Sequence, residues 1–390
     1  MKKILVVVSR VPYPLEKGDK LRAFNQIKVL STKYEVALFA LDDPSARSST
    51  KAVKVLGEFC CNVDIVKLNW LSIYFNIFKA FFKGLPLQVG YFYSSKAQKK
   101  LKERIASFKP DHIYCQLVRT AEYVKDIEHI PLTLDYMDAL SKGIERRIPK
   151  ATFFLKAILE LELKRLRAYE AEVFNRFAST TIISEQDRGH IEHKDANAIR
   201  IVPNGVDTTF FSPSDTAEKK YDLMFAGNMS YPPNIETAIY LATEVLPLIQ
   251  TQRPETNLVI AGVSPVPQVK SLASEHVTVT GWVEDMRVCY AQSRVFIAPM
   301  HISIGMQNKI LEAMAMELPC VCSVMANNAI GAEHGMNVLL GRNTAEYANF
   351  ALKLLDNSDT AATLSKGGRD FVVSRYDWDT SSDELLRIFA

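Results

Sequence analysis

Short apolar runs recur along the whole chain, separated by segments of helical period, and that alternation leaves few folds open. Runs of four to seven apolar residues bounded by turn residues are strands buried on both faces, as in parallel sheets covered by helices. In the first half they are Ile4–Ser9, Glu35–Leu41, Val63–Leu68, His112–Gln116, Leu132–Tyr136 and Thr180–Ser184. In the second half they are Asp222–Ala226, Leu258–Ala261, Val277–Thr280, Val295–Pro299 and Cys320–Val324. A chain of 390 residues is too long for one ordinary core, so two open α/β domains are expected. The Pro-Asn-Gly turn in Ile201-Val-Pro-Asn-Gly-Val-Asp marks the linker, giving domains 1–205 and 206–375.

Composition narrows the function classes. A hydrophobic fraction of 48% is too high for disorder, and a net charge of +3 gives no ground for nucleic-acid binding. The six cysteines form no C-x-x-C pair, which points away from zinc knuckles and disulfide frameworks and toward a reducing, cytoplasmic compartment. Met-Lys-Lys runs straight into Ile-Leu-Val-Val-Val, which reads as a first core strand and not as a signal peptide. Nowhere do about 18 apolar residues run uninterrupted, so no spanning helix is expected. Walker A, G-x-S-x-G and G-x-G-x-x-G patterns are missing, which removes the main support for kinase, hydrolase and dehydrogenase readings.

One segment raises a physical question. Gly305 to Pro319 reads as a helix that is apolar on nearly every side, yet it carries Glu312 in its middle. A buried carboxylate costs several kcal/mol unless something answers it. Lys309, three residues earlier, offers an ion pair worth a few tenths of a kcal/mol. The other answer is a ligand. In open α/β sheets ligands bind beyond the carboxyl ends of the strands, and the cleft between two such domains is the default site. The N-terminus of this helix follows the strand ending at Met300, so its N–H groups suit a phosphate near Gln307, Asn308 and Lys309, and Glu312 suits a sugar diol.

The whole chain resembles the family-4 retaining glycosyltransferases with the GT-B fold: two Rossmann-like, doubly wound parallel-sheet domains facing across a cleft. The resemblance rests on Ile201-Val-Pro-Asn-Gly-Val-Asp-Thr-Thr-Phe-Phe-Ser-Pro, on Val277-Thr-Val-Thr-Gly-Trp-Val-Glu-Asp-Met, and on Lys309-Ile-Leu-Glu-Ala-Met-Ala-Met-Glu-Leu-Pro. Pro12-Tyr-Pro-Leu-Glu-Lys-Gly-Asp-Lys-Leu-Arg-Ala-Phe looks like the donor-phosphate loop of bacterial exopolysaccharide and lipopolysaccharide sugar transferases. The resemblance implies that Glu312 binds the donor ribose and that the segment 376–390 returns to the N-terminal domain. It implies transfer of a sugar from a nucleotide diphosphate sugar to a glycan or lipid-linked acceptor, with retention, and no metal or other cofactor. Two rivals are a GT-B sugar-nucleotide epimerase and a non-catalytic sugar-nucleotide-binding protein.

The sequence departs from that pattern twice. The first glutamate of the Glu-x7-Glu motif falls on Ile304, and the arginine and lysine usual after the glycine at 227 are replaced by Asn228 and Pro233. The cation for the leaving diphosphate must come from elsewhere, because electrostatic stabilisation is usually the largest catalytic term. Lys309 is the first candidate, followed by Lys20 and Arg22 beside Gly18. Asp138 and Asp135 are the catalytic candidates near the anomeric carbon, with helix N-capping as the bland reading of Asp138. Gly305, Gly227, Asn228, Trp282 and Val283 complete the expected nucleotide-sugar site, with the base near Trp282.

The remaining features carry less. Asn69 to Pro86 is crowded with aromatics and has only lysines as charges, which suits either peripheral contact with the inner membrane or a core helix with a lysine edge. His190-Ile-Glu-His193 has a metal-like spacing but charged neighbours, and Asp377-Trp-Asp379 is explained by helix capping. No metal site and no nucleic-acid partner are expected.

Overall fold

A computed structural model describes residues 1–15, 17–46, 50–213, 217–302 and 306–390. The chain divides into two compact units, Met1–Pro203 with Ser382–Ala390, and Asn204–Ser381. The chain thus returns to the first unit at 381/382, six residues later than 376.

The first unit is a seven-stranded parallel sheet: β1 (Lys3–Val8), β2 (Glu35–Asp42), β3 (Asn62–Lys67), β4 (His112–Gln116), β5 (Leu132–Asp135), β6 (Ser179–Ile182) and β7 (Arg200–Ile201). Its order is β3-β2-β1-β4-β5-β6-β7, with Ile4 of β1 paired to Val36 on one side and to His112 on the other. Both faces are covered, so β1 reads Ile-Leu-Val-Val-Val without a polar break: Ile4, Val6 and Val8 enter one core and Leu5 and Val7 the other. The Trp378–Phe389 helix closes the first of these cores with Leu385, Leu386 and Phe389. The Phe389 ring lies 4.7 Å from His112 and 6.0 Å from Tyr34, both edge-on.

The second unit repeats the design with six parallel strands: β8 (Tyr221–Ala226), β9 (Leu258–Ala261), β10 (Val277–Gly281), β11 (Ser293–Ala298), β12 (Cys320–Ser323) and β13 (Leu339–Gly341). The order β10-β9-β8-β11-β12-β13 reverses direction between β8 and β11, as the first sheet does between β1 and β4. These reversals are where doubly wound sheets open a crevice for ligands.

The helix that carries Glu312 is shorter than 305–319: it spans Asn308–Ala315, and both its expected start at Gly305 and the motif position Ile304 lie outside the described residues. Its end has a specific cause. Glu317 takes a left-handed φ of 56°, while the N–H groups of Glu317 and Leu318 donate to the carbonyls of Met314 and Ala313, closing the helix before Pro319. Arg369 donates to the Ala315 carbonyl and places a positive charge at the negative end of the dipole.

Candidate functional site

In the second unit the chemistry gathers at the β8/β11 reversal. Two glycines let the loops after β8 and β9 meet. A Cβ on Gly262 would stand 1.9 Å from the Gly227 carbonyl oxygen, and Gly262 has a φ of 139°, so no other residue fits there. The loop after β8 then turns on Asn228, whose Oδ1 accepts from the N–H and hydroxyl of Ser230. Asn228 is thereby a turn-making residue, and its side-chain oxygen is occupied. Its backbone carbonyl accepts from Asn234 Nδ2 at 2.9 Å.

Asn234 in turn holds Lys309. The Lys309 Nζ donates to Asn234 Oδ1 at 2.5 Å and sits 4.7 Å from the centroid of the Phe225 ring. Lys309 therefore turns to Asn234 rather than to the carboxylate of Glu312, which instead accepts from the hydroxyl of Tyr290 at 2.9 Å. Both side chains are half-buried. Burial pushes the Lys309 ammonium down to about 7, with Glu312 nearby opposing the fall. Burial also raises Glu312, offset by the Tyr290 hydrogen bond and then by Lys309. A lysine and a glutamate on adjacent turns, each bonded to a neutral group and each desolvated, form an arrangement that a charged, diol-bearing ligand would relieve.

The other expected residues frame this pair. Gln307 precedes the helix, and its side chain makes no cap hydrogen bond to it. Asn308 opens the helix and accepts from Asn204 Nδ2 at 3.4 Å. Trp282 follows β10 and Gly281 and is 70% exposed, a free aromatic face, while Val283 packs against the core. Gly305 is outside the described residues.

In the first unit two assignments are corrected. Arg22 and Asp135 were expected to meet the donor, but both are fully buried and bind each other, Nε to Oδ2 at 2.6 Å and Nη2 to Oδ1 at 2.9 Å. Thr181 and the Met137 N–H also donate to Asp135, so this carboxylate is a structural anchor at the C-terminal end of β5, between β4 and β6. Lys20 is half-buried, and Gly18 starts the Gly18–Ser31 helix.

Asp138 has the opposite character. Met137, in a left-handed conformation at φ 64°, turns the chain out of β5 just before it. Asp138 is not the N-cap: the Leu140–Glu145 helix is preceded by Ala139, with no side-chain cap. Its Oδ1 is buried without a hydrogen-bond partner among the described residues. Burial raises its carboxyl to about 6, helped by Asp187 and opposed by Arg119.

The structure adds residues that sequence inspection did not single out. Arg10 follows β1 and pairs with Asp19 at 2.5 Å; Arg119 follows β4 and donates to Gln88 at 2.9 Å. Both guanidiniums lie over the Phe92 ring, at 5.5 and 4.9 Å, beside the reversal of the first sheet. In the second unit Tyr290 and Asn234 were likewise missed.

Residues 220–357, within the second unit, match the family described as "Glycosyl transferases group 1". Over 97% of both chains, the protein is 23% identical to an uncharacterized 44.6 kDa protein in the cps region of Klebsiella pneumoniae. Over 49% of this chain and 55% of the relative, it is 28% identical to the GDP-mannose-dependent alpha-(1-6)-phosphatidylinositol monomannoside mannosyltransferase of Mycobacterium tuberculosis. The Anabaena protein HepE in complex with UDP and glucose superposes with a TM-score of 0.70 at 17% identity, covering 100% of this chain and 99% of that one. The protein therefore has the GT-B fold, and its second unit carries a stretch that matches the group 1 glycosyl transferases.

Proposed function

We propose that the protein is a metal-independent glycosyltransferase that takes a hexose from a nucleotide diphosphate sugar and passes it, with retention, to a glycan or lipid-linked acceptor in bacterial surface polysaccharide synthesis. The observation that carries this reading is the Lys309–Asn234 and Glu312–Tyr290 arrangement at the β8/β11 reversal. A donor there would place its ribose diol on Glu312, its diphosphate on Lys309 and the start of the Asn308–Ala315 helix, and its base against Trp282.

The chemistry follows from those placements. The bond between the anomeric carbon and the diphosphate oxygen breaks with its electrons on the leaving oxygen. Lys309, held at about 7 in the empty site, completes its protonation from solvent as the donor binds and answers that charge, and so fills the role of the missing cations at 228 and 233. The acceptor oxygen bonds to the anomeric carbon while its proton passes to the departing diphosphate oxygen. In the first unit Asp138, its carboxyl raised to about 6 by burial and so ionised at neutral pH, is the candidate for orienting the acceptor hydroxyl.

The test is a thermal-shift panel of UDP, GDP, ADP, CMP and dTDP with EDTA, repeated on Glu312→Ala. Nucleotide at about 100 times its Kd stabilises by roughly 2.7 kcal/mol. A shift with one base in EDTA that Glu312→Ala abolishes supports the reading. A shift that requires a divalent cation and ignores Glu312 refutes it.

A further inference from the structure

The Trp70–Phe82 helix is tethered to its unit by one face only. Ile73 and Ala80 are buried, whereas Trp70, Leu71, Tyr74, Phe75, Phe78, Phe81 and Phe82 are exposed, Leu71 by 80%. At about 100° per residue these seven fall within an arc of about 140°, and Lys79 and Lys83 follow along one border of it. A second exposed group lies at the start of the Phe153–Phe174 helix: Phe153, Phe154, Leu155 and Ile158. Eleven of the twenty-three large apolar side chains exposed among the described residues thus come from two short segments.

The fold brings the segments together. Glu162 accepts from the N–H groups of Leu87 and Gln88, and Arg165 donates to the carbonyls of Phe81 and Leu85 with its guanidinium 4.9 Å from the Phe81 ring. Ile158 lies one helical turn from Glu162, a rise of about 6 Å. The two apolar groups therefore sit on neighbouring segments of the first unit, joined through Glu162 and Arg165.

Charge identifies what covers that face. Residues 69–86 and 146–159 hold six basic side chains, against which stand Glu160, 4.0 Å from Lys156, and Glu145 at the border, in a chain whose whole net charge is +3. Beside the aromatic arc, Asn76, Lys79, Lys83 and Lys125 line a cleft of about 80 Å³, with Glu122 paired to Lys125. A protein partner buried here would have to be apolar at its centre and acidic at its rim. An anionic bilayer has that character everywhere, with acyl chains beneath phosphates.

We infer that the Trp70–Phe82 helix and the Phe153–Ile158 turn are a single docking face that inserts its aromatics into the interface of an anionic membrane, with Lys79, Lys83 and Lys156 at the phosphates. No helix among the described residues is long and apolar enough to cross a membrane, so this contact is interfacial. It goes beyond the donor reading, because no residue of the nucleotide site takes part.

The test is cosedimentation at low salt with vesicles of phosphatidylglycerol and phosphatidylethanolamine, against vesicles of phosphatidylcholine. The wild-type chain partitions onto the anionic vesicles and is released by salt. Phe75→Glu/Phe78→Glu and, separately, Phe153→Ser/Phe154→Ser each reduce partition at least about tenfold while keeping the thermal midpoint and the nucleotide response. Absence of wild-type binding, or equal binding by both variants, overturns the inference. So does a wild-type dimer in light scattering that Phe75→Glu/Phe78→Glu dissolves, which would give the face to a second copy. The nucleotide shift, read on the same samples, tells failure of this inference from failure of the donor reading.

Discussion

Donor binding should take up a proton, and the amount can be worked from Lys309. In the empty site burial holds its ammonium at about 7, so at pH 8 about nine-tenths of the molecules carry it neutral. A phosphate oxygen about 4 Å from Nζ contributes roughly 4 kcal/mol at an effective dielectric of 20. At 1.36 kcal/mol per unit, that lifts the lysine by about three units, so the complex holds it fully protonated near neutral pH. The sign follows: binding absorbs about 0.5 proton at pH 7 and about 0.9 at pH 8, and Kd weakens by about fiftyfold from pH 7 to pH 9. The assay is titration calorimetry with the selected nucleotide sugar in two buffers of different ionisation enthalpy. A nucleotide sugar is the right probe because its diphosphate has no group titrating in this range. Lys309→Met should abolish both the proton uptake and the pH slope, with a thermal midpoint at or above wild type because a desolvated cation has been removed. A binding enthalpy that is independent of buffer at pH 8, or proton uptake that survives in Lys309→Met, would refute the assignment.

Other expectations are simpler to state. Asp138 has its carboxyl raised to about 6, so turnover falls as pH drops through about 6, and Asp138→Asn loses that acid limb together with most of the activity. The same substitution removes a buried carboxylate whose folded value lies above its unfolded one, so at pH 7 unfolding by urea should show a gain of about 1–3 kcal/mol; a loss would mean the group is structural. Trp282→Ala should remove the nucleotide-dependent fluorescence change and weaken binding about tenfold, leaving the midpoint of unfolding unchanged, since this indole is mostly exposed. Phe389→Ala opens a cavity against Tyr34, Tyr114 and His112 and should destabilise the first unit by about 3–5 kcal/mol in a denaturant titration.

The sheets were legible because strands buried on both faces leave unbroken apolar runs, as in Ile4 to Val8. β7 and β13 escaped notice for a physical reason: two and three residues are too few to show a period. Side-chain partnerships were less legible. Arg22 and Asp135 lie 113 residues apart, and nothing local to Arg22 distinguishes a buried ion pair from a donor-facing cation. The same holds for Tyr290, whose hydroxyl reaches Glu312 from 22 residues away, and for Arg10 and Arg119, which only the sheet order brings to one aromatic ring. What sequence could show was the problem, a glutamate in an apolar helix, and not the group that answers it.

The replacement of the family's arginine and lysine by Asn228 and Pro233 then has one physical reading. A guanidinium at 228 and an ammonium at 233 would add like charge to the loop that faces Lys309, and like charge favours the neutral lysine still further. With Asn228 closing a turn and Pro233 buried in the next helix, Asn234 is free to accept from Lys309 and hold it at the reversal. On the proposed reading the site would exchange permanent cations for one that acquires its charge with the ligand. Such a site gives up affinity at high pH, and it avoids holding three desolvated positive charges together when no diphosphate is bound.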